Sequence, residues 1–75
     1  MRDVGYRHMG KNELSPRQLD TLALLADGHT DKGIARVLQI GETTAKRHVR
    51  DILSKLDATN RAHAVSIAYR KGLLG

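Results

Sequence analysis

Lys46, Arg47 and Arg50 lie close together in the stretch TTAKRHVRDILSKL, residues 43–56, and the chemistry open to them jointly is recognition of an anion. An arginine guanidinium offers two parallel N–H donors that fit the O6 and N7 acceptors of guanine, and a lysine ammonium addresses the same acceptors less directionally. On a helix, at about 100° per residue, Thr43, Lys46, Arg47 and Arg50 share one sector, well away from a stripe of Ala45, Val49, Ile52, Leu53 and Leu56. One face is made to pack and the other to meet something negative. The competing reading is that these cations are only the solvated face of an amphipathic helix.

Other chemistries lack their constellations. His8, His29, His48 and His63 share no metal-ligand spacing, and the chain has no cysteine, so neither a zinc site nor a thiol nucleophile is expected. Ser15, Thr30 and Thr59 each have a simpler role as a helix cap than as a nucleophile. The expectation is a protein without enzymatic activity or cofactor. His48 sits between the basic and apolar faces, where it either approaches a phosphate or packs as a structural histidine.

Thirteen Lys and Arg against eight Asp and Glu give a formal net charge of +5, which in a single small domain points toward an anionic partner such as nucleic acid. Seventy-five residues make at most one such domain. No apolar run approaches the roughly 18 residues of a membrane span, and MRDVGYRHMG lacks the apolar core of a signal peptide. The chain reads as soluble and cytoplasmic.

The elements that must position the cations follow from local signals. Residues 1–13 carry two glycines, mixed charge and no apolar period; they read as a flexible arm in which Arg2, Arg7 and Lys11 add at most diffuse attraction to phosphate. The folded unit is placed at 14–75. In LSPRQL, Ser15 is the N-cap, Pro16 takes the first helical position, Gln18 completes a capping box, and Leu14 with Leu19 forms a hydrophobic staple. Leu19, Leu22, Ala23, Leu25 and Ala26 supply the buried face until Gly28 closes the helix in the left-handed conformation. A second, short helix starts at the Thr30 cap with Asp31 suiting its dipole, and buries Ile34, Ala35 and Leu38. Ile40 plugs the following turn, Gly41 is a second-choice cap, and the basic helix runs from Glu42 to Leu56. Thr59 or Asn60 caps a fourth helix that ends near Lys71 at Gly72. With no strand signal, the fold class is all-α, four helices.

Two helices joined by a short turn, the second with a basic polar face, are the parts of a helix-turn-helix: the major groove admits one helix while the preceding one crosses the backbone. That makes Lys46, Arg47 and Arg50 the base-contact candidates. LSPRQLDTLALLADGHTDKGIARVL followed by IGETTAKRHVRDILSKLDATNRAHAV and GLL resembles the LuxR/GerE family of DNA-binding domains, whose pattern opens with Leu-Thr-x-Arg-Glu and carries Lys-x-His-Val in its third helix. The resemblance covers residues 14–74. It implies a four-helix helix-turn-helix domain, a third helix in the major groove, a fourth helix at a dimer contact, and a role in transcriptional regulation. It places Lys46, Arg47 and Arg50 at bases or neighbouring phosphates, and Thr30, Lys32, Thr43 and Thr44 near the DNA backbone. Gln18 and Gly33 stand where the family usually has acidic residues, Gly41 replaces a usual Ser, and Ala45 a common Val.

The fourth helix supports dimerisation on its own pattern. Ala62, Ala64, Val65, Ile67, Ala68 and Tyr69 cover more of its circumference than a core-facing stripe needs. Val65 and Ala68 are assigned to the core, and Ala64 and Ile67 to the seam of a homodimer reading two inverted half-sites. Arg61, at the start of that helix, is an even choice between a phosphate contact and a merely exposed side chain. The partners expected are double-stranded DNA, a second copy of the chain, and RNA polymerase or a regulatory protein. The alternative is a protein-interaction module that uses the same fold to dock an acidic partner of the transcription machinery. The family domain usually ends a longer regulator; Met1 leans instead toward a self-contained small one.

Overall fold

The capping box at the first helix forms as its residue types dictate: Gln18 N–H donates to Ser15 Oγ at 3.1 Å and Ser15 N–H to Gln18 Oε1 at 2.9 Å, with Pro16 in the first turn, where no N–H is missed. In the computed structural model, which describes residues 14–74, four helices follow: α1 (Pro16–Ala26), α2 (Asp31–Leu38), α3 (Glu42–Leu56) and α4 (Arg61–Arg70). The described residues contain no strand, and the fold is all-α. The arm expected over residues 1–13, with Arg2, Arg7 and Lys11, lies outside the described residues.

Thr30 caps α2 by accepting from Gly33 N–H at 3.1 Å. Asn60 rather than Thr59 caps α4, accepting from His63 N–H at 2.8 Å, while His63 Nδ1 accepts from Thr59 N–H at 3.0 Å. Gly41 gives α3 no side-chain cap bond.

All four helices end alike. A residue in the left-handed conformation (Gly28, Gln39, Asp57 or Gly72) lets the next N–H turn back to a carbonyl five residues earlier: His29 to Leu24 at 3.0 Å, Ile40 to Ala35 at 3.0 Å, Ala58 to Leu53 at 2.9 Å and Leu73 to Ala68 at 2.8 Å. These closures satisfy carbonyls that a helix end would otherwise leave bare. Gly28 and Gly72 were expected from their residue type; Gln39 and Asp57 were not.

The core gathers around Leu22, Ile34 and Ile52, each fully buried, with Leu14, Leu25, Ala35, Ala45, Val49, Leu56, Ala64 and Ala68. On α1 the buried face is Gln18, Thr21, Leu22 and Leu25, a correction to the expected Leu19, Ala23 and Ala26: Leu19 is 36% exposed, Ala23 is exposed and Ala26 half-buried. Leu14 is buried in the core, while its expected staple partner Leu19 stays exposed. Two polar residues tolerate burial because their polar atoms are satisfied. Thr21 Oγ1 donates to Arg17 O at 2.9 Å, and Gln18 Oε1 accepts a second bond from Lys55 Nζ at 3.0 Å.

On α4, Ala64 and Ala68 are both fully buried, whereas Val65 and Ile67 are half-buried and lean on the core. Ala64 therefore has no surface to give a partner, and its assignment to a dimer seam is withdrawn. The physical reason is volume: two alanines one turn apart let helices approach closely, and a branched side chain at position 64 would hold them apart.

Candidate nucleic-acid interface

The packing of α3 decides what its other face can offer. Ala45, Val49, Ile52 and Leu56 are buried in one line, which turns Thr43, Lys46, Arg47 and Arg50 outward, and all four are exposed. They occupy an arc of about 100° and about 10 Å of helix axis, close to three base-pair steps of 3.4 Å each along a strand. The face thus presents three long cations within two turns of one helix.

Lys46 Nζ lies 3.8 Å from Glu42 Oε2, one turn back, with both side chains well exposed (61% and 46%). Such an exposed pair is worth about 0.3–0.5 kcal/mol at most, so it does not hold Lys46 from a stronger anion. Arg47 and Arg50 stand beside it on the same surface. His48 and Thr44 are half-buried at the margins of the outward sector.

The turn of the helix-turn-helix is residues 39–41, between Leu38 and Glu42. Gln39 in the left-handed conformation reverses the chain there, and the Ile40 side chain packs on the core as its isolation in LQIGE predicts. The turn packs α2 against α3. On α2, Thr30 and Lys32 are exposed at the first turn; the Thr30 Oγ1 that accepts from Gly33 keeps its own hydrogen to donate. A Cβ on Gly33 would meet His29 Cδ2 at 3.3 Å. The His29 ring occupies the space that a side chain at 33 would use.

Arg61 is not a free surface cation. Its Nη1 lies 3.1 Å from Asp31 Oδ1, with the Arg61 side chain 48% and the Asp31 side chain 19% exposed. Oδ1 itself is fully enclosed and accepts no hydrogen bond, so the contact is a short ion pair without hydrogen-bond alignment. It joins the start of α4 to the start of α2. Sequence reasoning gave Asp31 only a role with its own helix dipole; nothing local signals a partner thirty positions away. Ile67 borders a shallow groove with Leu56, His63, Arg70 and Lys71. Tyr69 (58%) and Leu73 (38%) are large apolar side chains left exposed at the same end of the chain. Among the described residues there is no cluster of His, Cys, Asp or Glu fit for a metal, and no helix long and apolar enough to cross a membrane.

Comparison with known proteins agrees with this geometry. Residues 12–68 match the family described as bacterial regulatory proteins, luxR family. The transcriptional regulatory protein LiaR of Bacillus subtilis is 41% identical, over 91% of this chain and 35% of its own length. The transcriptional activator protein CarR of Pectobacterium carotovorum is 40% identical over 80% of this chain and 25% of its own length. The nitrate/nitrite response regulator protein NarL of Escherichia coli is 45% identical over 71% of this chain and 24% of its own length. The chain thus spans about a third of LiaR and a quarter of CarR and NarL.

Proposed function

The chain belongs to the luxR family of bacterial regulatory proteins, and we propose that it is a sequence-specific double-stranded DNA-binding transcriptional regulator that lays α3 in the major groove. The observation that carries this reading is the outward face of α3: Lys46, Arg47 and Arg50 exposed together, fixed by a buried stripe on the opposite side. In this role Lys46, Arg47 and Arg50 read base edges, while Thr30, Lys32, Thr43, Thr44 and His48 meet phosphates and set the register. The transcriptional roles that LiaR and CarR are named for support it. Residues 14–75 act as the DNA-binding domain.

Two copies then pair through α4 and read inverted half-sites. Support for the seam at Ile67 comes from its half-burial and from the groove beside it. The base-reading step needs no covalent chemistry: α2 crosses the backbone, its Lys32 and Thr30 fix the height of α3, and the guanidinium forks exchange water for guanine acceptors.

The test is selection of bound sequences from a randomised duplex pool, with affinity followed against salt. An enriched inverted repeat is expected, with log K falling by about 0.9 per phosphate neutralised for each unit of log salt. Arg47→Ala should cost about 1–3 kcal/mol on the selected site and relax the preference at one base pair, whereas Lys32→Ala should weaken all sequences alike and lower the salt slope by about one. Absence of enrichment and of salt-sensitive binding would move the function to docking of an acidic protein.

A further inference from the structure

We propose that Arg61 serves DNA binding as a positioning residue that masks the charge of Asp31 at the start of α2, and not as a phosphate contact; this rests on the DNA-binding reading above. Asp31 lies between Thr30 and Lys32, the two residues of α2 offered to a phosphate. Its carboxylate is a negative charge in the same first turn, and left unbalanced it would oppose a phosphate drawn to those two residues. Arg61 Nη1 faces it at 3.1 Å. The enclosed Oδ1 accepts no hydrogen bond, so Arg61 is what balances it among the described residues. A guanidinium held this way cancels the repulsion and also ties α4 to the helix that crosses the backbone. Two neighbouring features complete the arrangement. Thr30 Oγ1 is anchored as the α2 cap at 3.1 Å from Gly33 N, and Asn60 caps α4 immediately before Arg61, so both partners leave from fixed helix starts.

The experiment is a double-mutant cycle on the full chain, Arg61→Ala, Asp31→Asn and both together, with affinity for the selected duplex measured at several salt concentrations, below the unfolding range of every variant. Arg61→Ala is expected to weaken binding about 3- to 10-fold at low salt, with the deficit shrinking as salt screens the repulsion between the uncompensated Asp31 charge and the phosphates. Asp31→Asn should bind at least as well as the unaltered chain. In the Asp31→Asn background, Arg61→Ala should change affinity by less than about 2-fold and leave the salt slope as it is.

Three results would overturn the proposal. A deficit that persists in the Asp31→Asn background, with a slope lower by about 0.9, makes Arg61 a direct phosphate contact. A deficit equal at all salt concentrations makes the pair structural only, and no deficit makes it irrelevant to binding. If the unaltered chain shows no salt-sensitive DNA binding, the DNA-binding reading itself falls, and the proposal with it.

Discussion

Gln39 is the residue on which the turn between α2 and α3 can be tested most sharply. Its φ of 58° and ψ of 48° place an L-residue where Cβ crowds the following carbonyl, at a cost of about 1–2 kcal/mol. Its side chain is exposed, and its N–H is bonded to Ala35 O, so little besides the backbone is altered by removing the side chain. Gln39→Gly relieves the strain but adds unfolded-chain entropy worth about 0.4–1 kcal/mol. The net expectation is a gain of about 0.5–1 kcal/mol, or about 3–6 °C in Tm for a domain of this size. Gln39→Ala keeps the Cβ at the same φ and should gain nothing. Asp57, at φ 56°, occupies the equivalent position after α3; because Asp tolerates the left-handed region better than Gln, Asp57→Gly should gain less than Gln39→Gly. Thermal and urea unfolding of the three variants and the unaltered chain gives the order directly. A Gln39→Gly variant that unfolds no higher than Gln39→Ala would refute the idea that this turn is held against strain.

Gln18→Glu should stabilise the fold by about 1 kcal/mol at neutral pH: the bond from Ser15 N–H becomes charge-assisted, the already charge-assisted one from Lys55 Nζ becomes an ion pair, and a carboxylate at the third residue of a helix suits its dipole. Those partners lower the folded-state pKa of the new carboxyl, so the gain holds above its unfolded value of about 4.3 and fades as pH falls through the folded one, as unfolding curves at several pH values would show. Gly33→Ala should be nearly neutral in the unaltered chain, because a helix gain of about 0.5–1 kcal/mol is offset by the His29 ring at 3.3 Å. In a His29→Ala background the gain should reappear, and strict additivity in that cycle would contradict the contact. Ile67→Ala should reduce affinity for a duplex with two half-sites more than for one with a single half-site; equal losses in a titration of both duplexes would remove Ile67 from the seam.

What was legible in the sequence was what is decided locally. The Ser15, Pro16 and Gln18 signature, the Thr30 cap and the glycine closures at 28 and 72 act within five residues of themselves, and α3 shows its buried stripe as a single helical period. The failures are equally physical. Gln18 and Thr21 are missing from the expected buried face because hydropathy does not register that their polar atoms find partners at Lys55 and Arg17. Of the left-handed residues, Gln39 has no residue-type signal and Asp57 only the mild tolerance of Asp for that region. On α4, apolar residues too widely spread to define one stripe left Ala64 and Val65 interchangeable; only the closeness of the packed helices selects the alanine. The Arg61–Asp31 pair joins residues that only the folded arrangement of α2 and α4 brings together.

The division of labour on α3 also decides how DNA-binding measurements can be read. Its contribution to stability comes from Ala45, Val49, Ile52 and Leu56, all buried, where truncating a large aliphatic side chain costs about 2–5 kcal/mol. Among the described residues the opposite face holds only the loose Lys46–Glu42 contact at 3.8 Å, and surface substitutions away from buried contacts usually stay within about 0.5 kcal/mol. Replacing Lys46, Arg47 or Arg50 should therefore leave Tm nearly unchanged, and any loss of affinity measures recognition rather than folding. The α2–α4 side differs. Asp31 is mostly enclosed, so removing Arg61 leaves a carboxylate without its counter-charge, and stability and binding fall together. Arg47 and Arg61, two arginines with the same charge, thus call for different controls: a melting curve suffices for Arg47, whereas only the matching Asp31→Asn background isolates what Arg61 contributes to DNA binding.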